Sequence, residues 1–174
     1  MATKKLLIII GLILISLIFC LYKMGFRYNH SNSYPKGIYQ LIGNKDSYQK
    51  GDLVLFCPPD NATLQLALDR QYLGYGMCRG GFEPVIKKVF GTPDDIISFT
   101  DNIVNVNHSP IKNTIVLDND SMGRFLPQLS DFVVPRKSYF LLSDYKPKLS
   151  FDSRYYGVVP SDNIKGIIMP IYTF

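Results

Sequence analysis

The stretch Val85–Asp95 (VIKKVFGTPDD) has the pattern of a β-strand that two adjacent lysines interrupt and that Gly91–Asp95 ends with a turn. Side chains alternate across a strand, so Lys87 and Lys88 point to opposite faces. Both faces are otherwise apolar. Two interpretations therefore remain open: one lysine is buried, or both lie at a sheet edge with their ammonium groups in solvent.

A buried lysine is a candidate general base. The pKa of a free lysine is about 10.4, and burial against apolar side chains lowers it because burial disfavours the charged form. Lys87 lies between Ile86 and Val89, which is a suitable setting. The two histidines, His30 and His108, lie in no spacing typical of a catalytic triad or a metal site.

On both sides of this strand, the sequence predicts a mainly β fold with one helix. Ala62 to Tyr72 is rich in Leu and Ala, follows a Pro-Pro-Asp-Asn cap, and is stopped by Gly74. The segment from about 96 to 135 predicts a small β-ribbon subdomain inserted in the core. Within this segment the predicted strands are 103–106, 115–117 and 131–134. Outside it they are 37–42, 52–56, 139–143 and 164–169.

Cys57 and Cys78 flank the predicted helix. A cysteine pair in an exported domain predicts a disulfide, and a metal site would need more ligands than the chain offers. The glycine-rich segment 74–81 that contains Cys78 lacks the Gly-Lys-Ser/Thr of a phosphate loop, so we expect a flexible connection there.

The segment 6–22 (LLIIIGLILISLIFCLY) follows Lys4 and Lys5 and reads as a membrane anchor or a cleavable signal peptide. No small-x-small cleavage site follows it, which favours an anchor in residues 1–27 and an extracytoplasmic domain in residues 28–174. Two basic residues flank the run on each side, so charge does not decide its orientation. Cys20 reads as an apolar membrane residue.

The net charge of +5 comes mainly from the amino-terminal end. Residues 1–27 hold four basic residues and no acid, whereas residues 28–174 hold 15 basic and 14 acidic residues. Beyond the apolar run no cluster of Lys and Arg is longer than a pair. Nucleic-acid binding is therefore not expected.

Two further motifs complete the pattern. Ser31–Pro35 (SNSYP) places a serine just before an extended step that Pro35 imposes. In Ser150–Pro160 (SFDSRYYGVVP), Asp152 and Arg154 are two residues apart and would form an ion pair on one face of an extended segment.

With the lysine strand, these motifs resemble the membrane-anchored serine endopeptidases of the signal peptidase I family, most closely the conjugative-transfer, TraF-type branch. The resemblance implies an antiparallel β catalytic core of the signal-peptidase and LexA type. It implies that Ser33 is the nucleophile and Lys87 the general base. The resemblance assigns supporting roles to Ser31 at the oxyanion hole, to Ser150 beside the lysine, and to the pair Asp152 and Arg154.

The chain departs from the family pattern at two positions, because Ser143 and Asp94 stand where the family usually has glycine. If these positions need a positive φ, both residues would be strained, Asp less than most.

The expected function is cleavage of an exported precursor with small residues near the cleavage site, a pilin or another subunit of a conjugation or type IV secretion system. The expected location is the inner membrane with the catalytic domain on the periplasmic side, and no cofactor or metal is expected. Two alternatives stay open: a general type I signal peptidase, and a non-catalytic β-domain of a secretion assembly.

Overall fold

The computed structural model describes residues 2–174. Its helices are α1 (Ala2–Lys23), α2 (Ala62–Asp69) and α3 (Ser153–Tyr156). Its strands are β1 (Phe26–Asn29), β2 (Gly37–Gly43), β3 (Leu53–Phe56), β4 (Val85–Gly91), β5 (Ile96–Thr100), β6 (Ile103–Val106), β7 (Ser109–Ile115), β8 (Phe132–Val133), β9 (Ser138–Leu142), β10 (Val159–Pro160) and β11 (Ile164–Thr173). The prediction of a mainly β fold is confirmed.

The strands form two antiparallel sheets. The larger sheet has the order β1-β2-β11-β3-β4-β9-β10, and the smaller has the order β7-β6-β5-β8. Strand β4 lies inside the larger sheet, hydrogen-bonded to β3 on one side and β9 on the other. The interpretation that its two lysines lie at a sheet edge is therefore wrong.

Apolar side chains cover both faces of β4. Val85 and Val89 belong to the main core, which also holds Phe56, Phe140 and Leu142, whereas Ile86 belongs to a second cluster around Tyr39. This two-sided burial explains why the strand reads as apolar on both faces.

Helix α2 is shorter than the sequence predicts. Asn61 accepts a hydrogen bond from the backbone N–H of Leu64 and caps the start. The helix ends at Asp69 rather than at Tyr72, because Gln71 adopts a positive φ of 61° and the N–H of Tyr72 donates to the carbonyl of Ala67. This Schellman-type ending turns Tyr72 away from the helix axis.

Strand β7 also differs from the prediction. The apolar residues 115–117 predict a strand, but β7 runs over the more polar Ser109–Ile115. Pairing with β6 supplies the backbone partners of this segment, so hydrophobic patterning did not reveal it.

Helix α1 is long and apolar enough to span a membrane. Its segment Thr3–Lys23 has a mean hydropathy of 2.7, and none of that segment is buried against the rest of the chain. At its end, the guanidinium of Arg27 lies over the ring of Tyr22 and donates to the Tyr22 carbonyl oxygen.

Candidate active site

Ser33 lies in the loop that joins β1 to β2. The side-chain amide of Asn29 donates to the carbonyl oxygens of Tyr34 and Pro35, at 3.1 Å and 2.9 Å, and so closes the loop. The Tyr34 hydroxyl donates to Asp144 at 2.7 Å. These bonds fix the backbone on both sides of Ser33.

Ser143 ties this loop to the end of β9. Its hydroxyl donates to the carbonyl oxygen of Ser33, and its backbone N–H donates to Asp152 at 3.1 Å. Ser143 is not among the residues with positive φ, so the strain considered for this position does not arise. The other replaced glycine position, Asp94, does adopt a positive φ, of 70°.

Lys87 is buried on β4, with 1% of its surface exposed. Burial lowers its pKa to about 8; the charge of Asp152 opposes this shift and that of Arg154 adds to it. In the β4–β9 register Lys88 lies opposite Leu142. Continued by one residue, that register places Lys87 opposite Ser143, with both side chains on the same face.

The neighbouring Lys88 has a different environment. It points to the other face of β4, is about one-third exposed, and forms an ion pair with Asp144. Asp144 also accepts the Tyr34 hydroxyl, so Lys88 anchors the Ser33 loop indirectly.

Asp152 and Arg154 form an ion pair with no exposed side-chain surface. Two guanidinium nitrogens of Arg154 donate to the two carboxylate oxygens, at 2.7 Å and 2.9 Å. Arg154 also donates to the carbonyl oxygens of Ile115 and Pro147, both at 2.6 Å. The predicted ion pair is therefore present, but the extended segment predicted for it is wrong: Asp152 caps the short helix α3, and Arg154 lies inside that helix. Arg154 also joins β7 of the smaller sheet to this segment.

The two remaining serines make local hydrogen bonds. The Ser150 hydroxyl donates to Asp152 at 2.9 Å, which leaves its lone pairs free to accept from another donor. The Ser31 hydroxyl donates to Asn29 at 2.8 Å.

A cavity of about 560 Å³ opens beside Ser33. Ser31, Ser33 and Ser150 line it, together with the aromatic side chains Tyr72, Phe151 and Tyr155. The fold therefore brings the loop serines and Ser150 to one cavity, with the Asp152–Arg154 pair behind Ser150.

Cys57 and Cys78 form a disulfide, as the sequence predicts. It joins the end of β3 to the glycine-rich segment 74–81 across helix α2. The residues Tyr34, Glu83 and Asp144, which contact the site or its cavity, were not singled out from the sequence.

Known proteins are similar in sequence to this chain over most of its length. The family model "Signal peptidase, peptidase S26" matches residues 2–173. A conjugal transfer protein TraF of Agrobacterium fabrum is 37% identical over 86% of this chain and 84% of the relative. A plasmid transfer protein TraF of Escherichia coli is 34% identical over 88% of this chain and 85% of the relative. A solved signal peptidase I of Enterococcus faecalis has a TM-score of 0.40 and 23% identity, over 70% of this chain and 97% of that one.

Proposed function

The chain belongs to the signal peptidase family, peptidase S26, and we propose that it is a membrane-anchored Ser/Lys endopeptidase. Its substrate in this proposal is an exported precursor, a pilin or another subunit of a conjugation or type IV secretion system. The anchor lies in the inner membrane and the catalytic domain on the periplasmic side. Relatives described as transfer proteins, at 31–37% identity, support the link to conjugation.

The observation that carries the proposal is a fully buried lysine on β4, the strand that pairs with β9, whose end is tied to the Ser33 loop. Lys87 has a pKa lowered to about 8, so much of it is neutral in mildly alkaline solution. The neighbouring Lys88 pairs with Leu142, and the next residue after Leu142 is Ser143, whose hydroxyl donates to the Ser33 carbonyl oxygen. A neutral amine that reaches a serine hydroxyl can activate it for nucleophilic attack on a peptide bond.

In the proposed mechanism, neutral Lys87 accepts the proton of the Ser33 hydroxyl as Oγ attacks the scissile carbonyl carbon. The backbone N–H of Ser33 and the hydroxyl of Ser31 stabilise the oxyanion. Ser31 now donates to Asn29, so its hydroxyl must rotate for this role. Lys87 then returns the proton to the leaving amine, and an acyl-enzyme remains. Water releases the product, or an amine does so and forms a new peptide bond.

Three residues support the dyad in this proposal. Ser150 lines the cavity and accepts a hydrogen bond from Lys87 in this proposal, while its own hydroxyl donates to Asp152. Arg154 holds Asp152 in place through two charge-assisted hydrogen bonds. The substrate binds as an extended segment along the cavity, with small residues next to the scissile bond.

The test is co-expression of the wild type, Ser33→Ala and Lys87→Ala with the pilin precursor from the same transfer locus. We expect the wild type alone to produce the processed mass in mass spectrometry. A product lighter by one further water would identify a cyclised chain. Equal processing by all three proteins would contradict the dyad and favour the non-catalytic alternative.

The general signal peptidase alternative has a separate test. Relatives described as signal peptidase I are 26–28% identical, below the relatives described as transfer proteins. We therefore expect no rescue of cells depleted of their general signal peptidase. Full rescue would make general preprotein cleavage the better assignment.

A further inference from the structure

Glu83 lies in the wall between two cavities. Its side chain lines the 560 Å³ cavity that holds Ser33, and also a second cavity of about 190 Å³ on the other side of Ser31. The side chain keeps 21% of its surface exposed. Glu83 is therefore one of the residues around the space that a peptide beside Ser33 would fill.

The glycine-rich segment 74–81 holds Glu83 in place. The backbone N–H of Glu83 donates to the carbonyl of Gly74 at 2.8 Å. A Cβ atom at Gly74 would lie only 2.5 to 2.7 Å from the carboxylate atoms, and one at Gly76 would collide with the Glu83 backbone. Far from being only a flexible connection, this segment packs tightly against Glu83, and its glycines make room for the carboxylate.

The charge of Glu83 is available for a ligand. Its ion-pair partner within residues 2–174 is Nε2 of His30 at 3.2 Å, a side chain that is 67% exposed and charged only when protonated. By contrast, Asp120 in the same cavity already accepts from Arg124 at 2.6 Å and from the Tyr72 hydroxyl. In the reactive state of the proposed mechanism Lys87 is neutral, so it does not neutralise the negative charge of Glu83.

We propose that Glu83 binds a cationic side chain of the precursor, an arginine or a lysine within three residues of the scissile bond. The inference rests on the proposed function, because it assumes that the substrate lies beside Ser33. A partly shielded carboxylate forms a strong, charge-assisted hydrogen bond with a guanidinium or ammonium group. The aromatic lining of the cavity, including Tyr72 and Phe151, packs against the aliphatic stem of such a side chain.

The first experiment measures cleavage by the full chain in detergent micelles. The probe is an alanine-rich decapeptide with one arginine placed in turn at each of the three positions on either side of the scissile bond. Citrulline, which has nearly the same shape and no charge, replaces arginine in the matched set. At one of these positions we expect the wild type to cleave the arginine peptide with a kcat/KM roughly tenfold higher than that of the matching citrulline peptide. Glu83→Gln should reduce this ratio to about one.

Two control variants isolate the charge. Asp69→Asn removes the same charge from an exposed residue at the end of α2 that lines neither cavity, and it should keep the preference. Glu83→Asp retains the charge on a shorter side chain and should therefore retain part of the preference for arginine. No arginine preference at any position, or an unchanged preference in Glu83→Gln, would overturn the inference.

A binding measurement separates this inference from the proposed function. Fluorescence anisotropy with Ser33→Ala compares the labelled arginine and citrulline peptides, with and without Glu83→Gln. Tighter binding of the arginine peptide that is lost with Glu83→Gln supports the site even if the wild type cleaves nothing. Equal binding of both peptides to Ser33→Ala overturns it even if the wild type cleaves both.

Discussion

The burial of Lys87 affects both its proposed chemistry and the stability of the fold. Removal from water lowers its pKa to about 8 although Asp152 lies close enough to raise it. The lowered pKa makes the amine available as a base near neutral pH, and it also makes the charged form costly for the folded state. Two predictions at the residue scale follow from these two effects.

The first concerns activity. Below the pKa of Lys87 the neutral fraction rises about tenfold per pH unit, so kcat/KM should rise through pH 6 to 8 and level off above. The measurement is cleavage of one peptide by the full chain over that range. An acidic optimum would contradict a lysine base.

The second concerns stability. Lys87→Met should abolish cleavage and stabilise the fold by about 2 kcal/mol at pH 7, because the charged amine no longer has to be buried. The wild type itself should gain stability between pH 8 and 10.5, where the unfolded chain binds more protons than the folded chain. The gain from Lys87→Met should therefore shrink as the pH rises through this window.

Chemical denaturation of the full chain in detergent at several pH values measures this effect. Lys88→Met is the matched control. Lys88 is only partly buried and pairs with Asp144, so its replacement should not stabilise the fold. A loss of stability in Lys87→Met at pH 7 would show that the amine is well accommodated as a cation.

Ser143 links the end of β9 to the Ser33 loop through its hydroxyl. Its hydroxyl fixes the Ser33 carbonyl, and a hydrogen bond of this kind contributes about 1 kcal/mol. Ser143→Ala should therefore lower kcat about fivefold and change KM little, because the loop loses its anchor and the cavity stays intact. Steady-state kinetics test this, and an effect on KM alone would assign Ser143 to substrate binding instead.

At the scale of elements, the disulfide links β3 to the segment that supports Glu83. It closes a loop with a sequence separation of 21 residues. Restricting the unfolded chain in this way stabilises the fold by roughly 3 kcal/mol. The covalent link also keeps the segment 74–81 against the start of β4.

Replacing both Cys57 and Cys78 by alanine should lower the free energy of unfolding by about 3 kcal/mol. Urea denaturation of the full chain in detergent provides the measurement. Cys20→Ala is the control, because Cys20 is free and exposed on α1. Equal stability of the double variant and the wild type would show that packing alone holds the segment.

At the scale of the whole molecule, α1 and the β domain are largely independent. None of the apolar segment Thr3–Lys23 of α1 is buried against the domain. The main contacts at the junction come from Arg27, which lies over Tyr22 and donates to its carbonyl oxygen. The helix therefore contributes little to the stability of the domain.

Deletion of residues 2–23 should release the domain from membranes without unfolding it. We expect the full chain to stay in the membrane pellet after carbonate extraction and the shortened chain to appear in the soluble fraction. Its thermal midpoint should fall by only a few degrees, since few contacts are lost. A shortened chain that remains in the pellet while folded would indicate a second membrane contact on the domain.

The sequence by itself determined the mainly β fold, the disulfide, the apolar helix and the Asp152–Arg154 pair. Each depends on local patterns or on a spacing that leaves few alternatives. The same patterns revealed neither the polar strand β7 nor the end of α2 at Asp69, because backbone pairing with β6 and the positive φ of Gln71 set those boundaries.

Strand alternation did not distinguish Lys87 from Lys88, because it gave both lysines apolar neighbours. The resemblance to a known family favoured Lys87, and the tertiary structure buries Lys87 whereas Lys88 pairs with Asp144 and stays partly in solvent. The cavity beside Ser33 is likewise built from segments 31–33, 71–75, 117–126 and 148–155, which are distant in sequence. Residues that meet only through folding leave no periodic signal, so Glu83 and its glycine support became visible only in three dimensions.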